Sequence, residues 1–275
     1  MTNSALTAGT YYGVPAAEYH KIEALSASGA KLLLRSPAHY LASKANPREP
    51  TANMKFGTLV HTLVLEPELV ATEIAVSPKF DKRTTIGKQA AAEFEIRAEG
   101  KMVIDEDLFA KAQRVADAVR AHPVVKDELL PDGNTEVTML WNQHGLPCKG
   151  RVDYMRGATM MDVKTCQDAS PDGFARSVAT FSYHMQAAHY AAGFKEIVGW
   201  DLDRFIFIAV ESESPHGVGI YTLDARSLAS GRKMIERAAL AYHRAVSMAD
   251  TWKGYDEQIV ELSVPSWAQV EAFSG

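Results

Sequence analysis

The chain has 275 residues, 47% of them hydrophobic and 23% charged, and a formal net charge of −5 at pH 7. That length and composition suit a folded chain that buries a sizeable core, as one large domain or two small ones. The acidic balance weighs against a protein coated in nucleic acid, but not against an enzyme that grips a polyanion through a local positive groove. No apolar run reaches the ~18 residues of a membrane span. The N-terminal MTNSALTAGTYYGVP has no basic stretch followed by an apolar core, so no signal peptide is expected. Two cysteines, Cys148 and Cys166, suggest neither a disulfide framework nor a CxxC metal site. A cytoplasmic location and no membrane partner are expected.

Residues 1–20 read as loosely ordered. A helix begins near Ser26-Ala27-Ser28, with Ser28 as the expected N-cap of GAKLLLR. Ser36-Pro37 breaks it before a second short helix over AHYLASK, and ANPREPTAN is a polar loop. Phe56, Leu59, Val60, Leu63 and Val64 recur at helical spacing through 54–65, a run that Glu66-Pro67-Glu68 ends. Residues 72–78 suit a strand. The basic segment DKRTTIGKQ, 81–89, reads as a loop that enters a helix of about 90–98. An amphipathic helix over 105–121 takes Asp105 as its cap and stops at His122-Pro123.

The pattern then changes. TEVTMLWN, CKGRVDYM and TMMDVKT are short, alternating and separated by turn signals, which predicts a β-meander. Ser170-Pro171-Asp172 starts a helix. Residues 171–199 are mostly helical, in two pieces broken near Thr180-Phe181. RFIFIAVE and GVGIYTLD are two further strands, and 225–249 is a long helix. The whole of 1–275 is expected to form one α/β domain with a mixed central sheet flanked by helices. Within it, 21–125 is a mainly helical part that carries His61, and 135–250 holds the sheet and its helices.

The chemistry concentrates in two stretches, Gly150-Arg151-Val152-Asp153 and Asp162-Val163-Lys164-Thr165. On a strand, Asp162 and Lys164 share a face with Val163 buried behind. Asp153 lies near enough in sequence to sit across a hairpin. Two carboxylates and the Val163 carbonyl offer the oxygen ligands that a hard cation takes, and Lys164 would neutralise charge developing on a phosphate. His61, beside the apolar stripe of its helix, is a candidate further ligand. Gln186 and Tyr190 share a helix face, with Ser182 one turn before. Glu136 has no favoured role, either a supporting carboxylate or an exposed strand residue. Arg83, Lys88, Lys149 and Arg151 are candidate phosphate contacts, and Arg151 is preferred because it shares a strand face with Asp153.

Four motifs stand in order: Gly57-Thr-Leu-Val-His61, Gly150-Arg-Val-Asp153, Asp162-Val-Lys164 and Gln186-Ala-Ala-His-Tyr190. This set resembles the PD-(D/E)XK nuclease superfamily, in particular the branch of RecE-type exonucleases (exonuclease VIII), the RecB nuclease domain and phage lambda exonuclease. The likeness runs over roughly 20–267 and takes in SASGAKLLLRSPAHY, DKRTTIGK and the terminal VPSW. One departure is Asp162, where many relatives carry Glu. The resemblance implies a restriction-endonuclease-like core, with His61, Asp153, Asp162 and the Val163 carbonyl holding Mg²⁺ (or Mn²⁺) and Lys164, Asp153 and Asp162 catalytic. Gln186 and Tyr190 would support the site and touch DNA; Glu136, Arg151, Arg83 and Thr165 would serve beside them. It further implies a phage- or prophage-type enzyme that resects double-stranded DNA ends from 5′ to 3′. A trimeric or tetrameric ring and a single-strand annealing partner would go with that activity. A structure-specific or single-strand nuclease of the same fold, or a non-catalytic DNA-end module, are the alternatives.

Overall fold

The computed structural model describes residues 7–46, 49–128, 133–247, 252–255, 258–265 and 269. A short strand β1 (Gly9–Tyr11) and helix α1 (Ala16–Lys21) precede α2 (Ala27–Arg35), α3 (Pro37–Ala45) and α4 (Ala52–Leu65). A 3-10 turn (Pro67–Leu69) and α5 (Val70–Glu73) lead to β2 (Ile74–Ser77), α6 (Thr85–Arg97), β3 (Met102–Asp105), α7 (Glu106–Ala121) and α8 (Pro123–Glu128). The second half runs β4 (Asn134–Gln143), β5 (Leu146–Arg156), β6 (Thr159–Cys166), α9 (Pro171–Phe181), α10 (Tyr183–Val198), β7 (Arg204–Glu211), β8 (Val218–Tyr221) and α11 (Ala225–Ser247). None of the described helices is long and apolar enough to cross a membrane.

Helix starts follow the short polar side chains. The Asp105 carboxylate accepts from the Leu108 N–H at 2.8 Å, and Ser170 Oγ accepts from the Gly173 N–H at 3.2 Å, both as expected. Two expectations shift. Ser26, not Ser28, caps α2: its backbone is extended and its Oγ accepts from the Gly29 N–H at 3.1 Å, while Ser28 already lies inside the helix. Thr84 caps α6 by accepting from the Gly87 N–H at 3.0 Å, so the second half of the basic segment is helix rather than loop.

The main sheet has the order β1-β4-β5-β6-β7-β8, and β2 and β3 form a separate parallel pair. β4, β5 and β6 are the expected antiparallel meander, whereas β6 and β7 run parallel through the α9–α10 crossover. The sheet is therefore mixed. Residues 1–20 are not loose throughout. Gly9–Tyr11 pair antiparallel with Leu140–Thr138. The carbonyls at the end of α1 receive the Lys149 ammonium, 2.9 Å from both the Tyr19 and Ile22 oxygens. Lys149 is thus a buried clamp on α1, which removes it from the candidate phosphate contacts.

Each face of the sheet buries its own core. On one side Val137, Met139, Trp141, Cys148, Val152, Met160, Phe205 and Phe207 pack under α2, α9, α10 and α11. On the other, Tyr154, Met161, Val163, Ile206, Ile208 and Val210 pack under α4 and α7. β7 is apolar on both faces, which is why RFIFIAVE reads as an unbroken run rather than an alternation. α4 brings its apolar stripe onto β6 from one side, and α10 meets β4 and β5 from the other.

Candidate active site

The site lies where β5 and β6 part. Their ladder ends at Tyr154↔Met161, and the next pair in register is Asp153 and Asp162. Beyond that point Val163 exchanges no backbone bonds with β5. Its N–H donates to Asp153 Oδ2 at 2.8 Å, and its carbonyl oxygen lies 2.5 Å from His61 Nε2. Both polar groups of a core strand residue are thereby satisfied by side chains from other segments. His61 Nδ1 is 3.3 Å from the same Asp153 oxygen. On β4 the register puts Glu136 opposite Asp153, between the pairs Thr135↔Tyr154 and Val137↔Val152. Glu136 has a left-handed backbone, φ 49°, which a non-glycine residue adopts at some cost. The ligand atoms of His61, Glu136 and Asp153 lie within 4.8 Å of one another. Glu136, which had no favoured role from its place on the first meander strand, is thus a member of the acidic cluster.

Asp162 and Lys164 share a strand face and Val163 is buried behind them, as the alternation predicts. That face is turned toward α10. Gln186 Nε2 donates to Asp162 Oδ2 at 2.5 Å, and the Lys164 ammonium pairs with Oδ1, which takes no other hydrogen bond among the described residues. The expected grouping of His61 with both aspartates therefore forms only in part. His61 arrives on α4 from the opposite side of the sheet and meets Asp153 and the Val163 backbone, while the Asp162 carboxylate faces Lys164 and Gln186.

Tyr190 is buried, with its hydroxyl turned to β5. The Arg151 N–H donates to its hydroxyl at 3.4 Å, and its ring fills the space above Gly150: a Cβ there would stand 2.7 Å from Tyr190 Cε1. The glycine of the second motif is thus required by the tyrosine of the fourth. The Arg151 guanidinium pairs with Glu136 and lies 5.8 Å from the centre of the Tyr19 ring, beside the cluster. A Cβ on Gly57 would be in ordinary contact, 3.7 Å, with Thr165 Oγ1, so the first motif lies along the strand of the third. Arg83 is not drawn in: it is 94% exposed and pairs with Asp81, and Lys88 is exposed on α6.

Burial and the nearby Asp162 charge push the Asp153 carboxyl up to about 8. Burial, with the Asp153 charge beside it, also raises Glu136. Burial and the Lys164 charge hold His61 below its usual range, favouring a neutral imidazole. Burial alone would depress Lys164, but the charges of Asp162 and Asp153 outweigh it and keep the ammonium above its usual range. Two carboxyls that burial and a neighbouring acidic charge raise, a neutral imidazole and a strand carbonyl form a donor set that fits a divalent cation. His61, Glu136, Asp153 and the Val163 oxygen are the groups that would hold it.

The fold matches proteins of the same architecture. A crystal structure of a candidate exonuclease from Eubacterium rectale superposes with a TM-score of 0.61, covering 93% of this chain and 97% of that one at 14% identity. The structure of SSO0001 aligns at a TM-score of only 0.28, over 67% of this chain and 85% of that one at 16% identity, too weak a likeness to argue from. Comparison with curated protein sequences found no match. A family model described as a PDDEXK-like domain of unknown function (DUF3799) matches residues 26–259, which takes in all four motifs and both faces of the sheet. The chain belongs to that PDDEXK-like family.

Proposed function

We propose that this protein is a metal-dependent exodeoxyribonuclease that resects double-stranded DNA from its ends, 5′ to 3′, in the manner of RecE-type enzymes. The observation that carries the reading is the fork between β5 and β6. There His61, Asp153 and the Val163 backbone meet within 3.3 Å, and Lys164 is held as an ammonium one residue further along the strand. Mg²⁺, with Mn²⁺ as its substitute, is the cation proposed; bound there, it would polarise a phosphodiester and lower the pKa of an attacking water. Asp162 fixes Lys164 so that its charge bears on the phosphate. Gln186 holds Asp162 in place, and Arg151, released from Glu136, would offer its guanidinium to a neighbouring phosphate. The candidate exonuclease with the same fold supports a nuclease over other phosphoester chemistry. A ring of three or four copies and a single-strand annealing partner complete the proposal, since an enzyme that resects long ends gains from enclosing its duplex.

The test uses linear duplex labelled at either 5′ or 3′ end, closed circular duplex and single-stranded DNA, each with and without Mg²⁺. Mg²⁺-dependent loss of the 5′ label first, with the closed circle spared, is expected. Cleavage of the closed circle would indicate an endonuclease, and equal cleavage of single strands a single-strand nuclease. No cleavage under any condition would mark a non-catalytic module.

A further inference from the structure

We infer that Phe181, stacked on Tyr183 at the corner between α9 and α10, is a platform for an unpaired nucleobase next to the phosphate that Lys164 faces. The inference rests on the nuclease reading above and names the nucleotide contact which that reading leaves unassigned. α9 ends at Phe181, and Ser182 turns the chain through a left-handed conformation, φ 59° and ψ 40°, into α10. The turn leaves Phe181 54% exposed. Its ring is stacked on Tyr183, with centroids 5.6 Å apart and planes inclined by 27°. Tyr183 is stacked in turn on Phe174 and Phe207, both fully buried, at 6.1 and 6.0 Å. Phe181 is therefore the outer, half-exposed member of an aromatic stack anchored in the core.

The surroundings specify the occupant. The Lys164 ammonium lies 4.9 Å from the centre of the Tyr183 ring. On α2, the Lys31 ammonium donates to the Phe181 carbonyl at 3.2 Å and lies 5.9 Å from its ring centre. An exposed aromatic with one ammonium beside it, and a second against the ring it stacks on, matches a nucleotide, with the base on the ring and the phosphates on the cations. A base inside a duplex has both faces occupied, so the fit is to a frayed or single-stranded base. Every base has a π-face, so no sequence preference is expected.

The test measures binding by the metal-free full chain of a short single-stranded oligodeoxynucleotide, and of a duplex with an unpaired end. Each carries 2-aminopurine, whose fluorescence falls on stacking. Phe181→Ala should weaken binding by roughly 5- to 150-fold and abolish the quenching, the range for loss of one stacked base. Phe181→Trp should retain both, and Phe181→Leu, apolar but without a π-face, should behave as Phe181→Ala. The ring is exposed, so these changes leave the core packing intact. Wild-type binding with Phe181→Ala unchanged, or with Phe181→Leu equal to wild type, overturns the platform and leaves the nuclease reading standing. Wild-type protein that neither binds nor cleaves DNA removes both.

Discussion

Lys164 and Asp162 depend on each other. Asp162 is 1% exposed in its side chain, and without the ammonium its carboxylate would keep only the Gln186 hydrogen bond. Removing one partner of a buried ion pair is costlier than removing both, because the survivor is left as an uncompensated charge. Lys164→Ala should therefore lower the unfolding free energy by about 3 kcal/mol and cut DNA cleavage at least ~100-fold. Adding Asp162→Asn should restore most of the stability in urea unfolding but none of the cleavage. A double variant that regained cleavage would remove Lys164 from the chemistry. Gly150 makes a second prediction. A methyl at this position meets the Tyr190 ring at 2.7 Å. Gly150→Ala should destabilise the fold by about 1–3 kcal/mol, read as a lower urea midpoint, and Tyr190→Leu should relieve part of that loss.

At the scale of elements, α10 ties the site to the core. Gln186 holds β6, Tyr190 covers β5, and His189 between them lies buried with Nε2 3.3 Å from the Leu25 and Lys149 carbonyls. Two carbonyl acceptors fix a donor at Nε2, and Nδ1 has no hydrogen-bond partner among the described residues, so the ring is neutral. Burial pushes the His189 imidazolium pKa down to about 4, against about 6.5 unfolded. Above pH 6.5 neither state binds the proton and the residue adds no pH dependence. As pH falls from about 6.5 towards 4 the unfolded chain takes up a proton that the folded one refuses, and stability drops. Between pH 7 and 5 the wild type should lose about 2 kcal/mol more than His189→Gln, as measured by urea unfolding at the two pH values. Equal losses would mean that His189 is charged or exposed.

The long elements were legible in the sequence because periodicity and caps agree there. The meander and the α7 cap at Asp105 stand where the residues place them, and the break expected near Thr180-Phe181 falls just after, at Ser182. β1 and β3 escaped because three or four residues carry no readable alternation, and each exists only through a distant partner, β4 or β2. α6 was begun late because its first turn is basic and polar, with Thr84 rather than an apolar stripe marking the start.

Across the whole molecule, the sequence brought four separated motifs together, and the fold does join them in one continuous network. It runs from His61 through Asp153 to the Val163 backbone, and, on the neighbouring residues of the same strand, from Lys164 through Asp162 to Gln186. Which carboxylate faces which partner was not legible, because it depends on the side of the sheet from which α4 and α10 approach. That geometry turned Asp162 toward Lys164 and brought in Glu136, whose place opposite Asp153 follows only from the β4–β5 register. Lys149 misled for a related reason: a lysine next to a motif looks like a phosphate ligand until the carbonyls at the end of α1 are seen around it.

If His61, Glu136 and Asp153 hold a divalent cation, titration of the 275-residue chain with Mn²⁺, following free Mn²⁺ by its electron paramagnetic resonance signal, will show it. Saturable binding at or below millimolar Mn²⁺ is predicted, weakened at least ~10-fold by His61→Ala or Asp153→Asn, as expected for loss of groups that hold the metal. No binding at millimolar Mn²⁺, or binding unchanged in both variants, would contradict it.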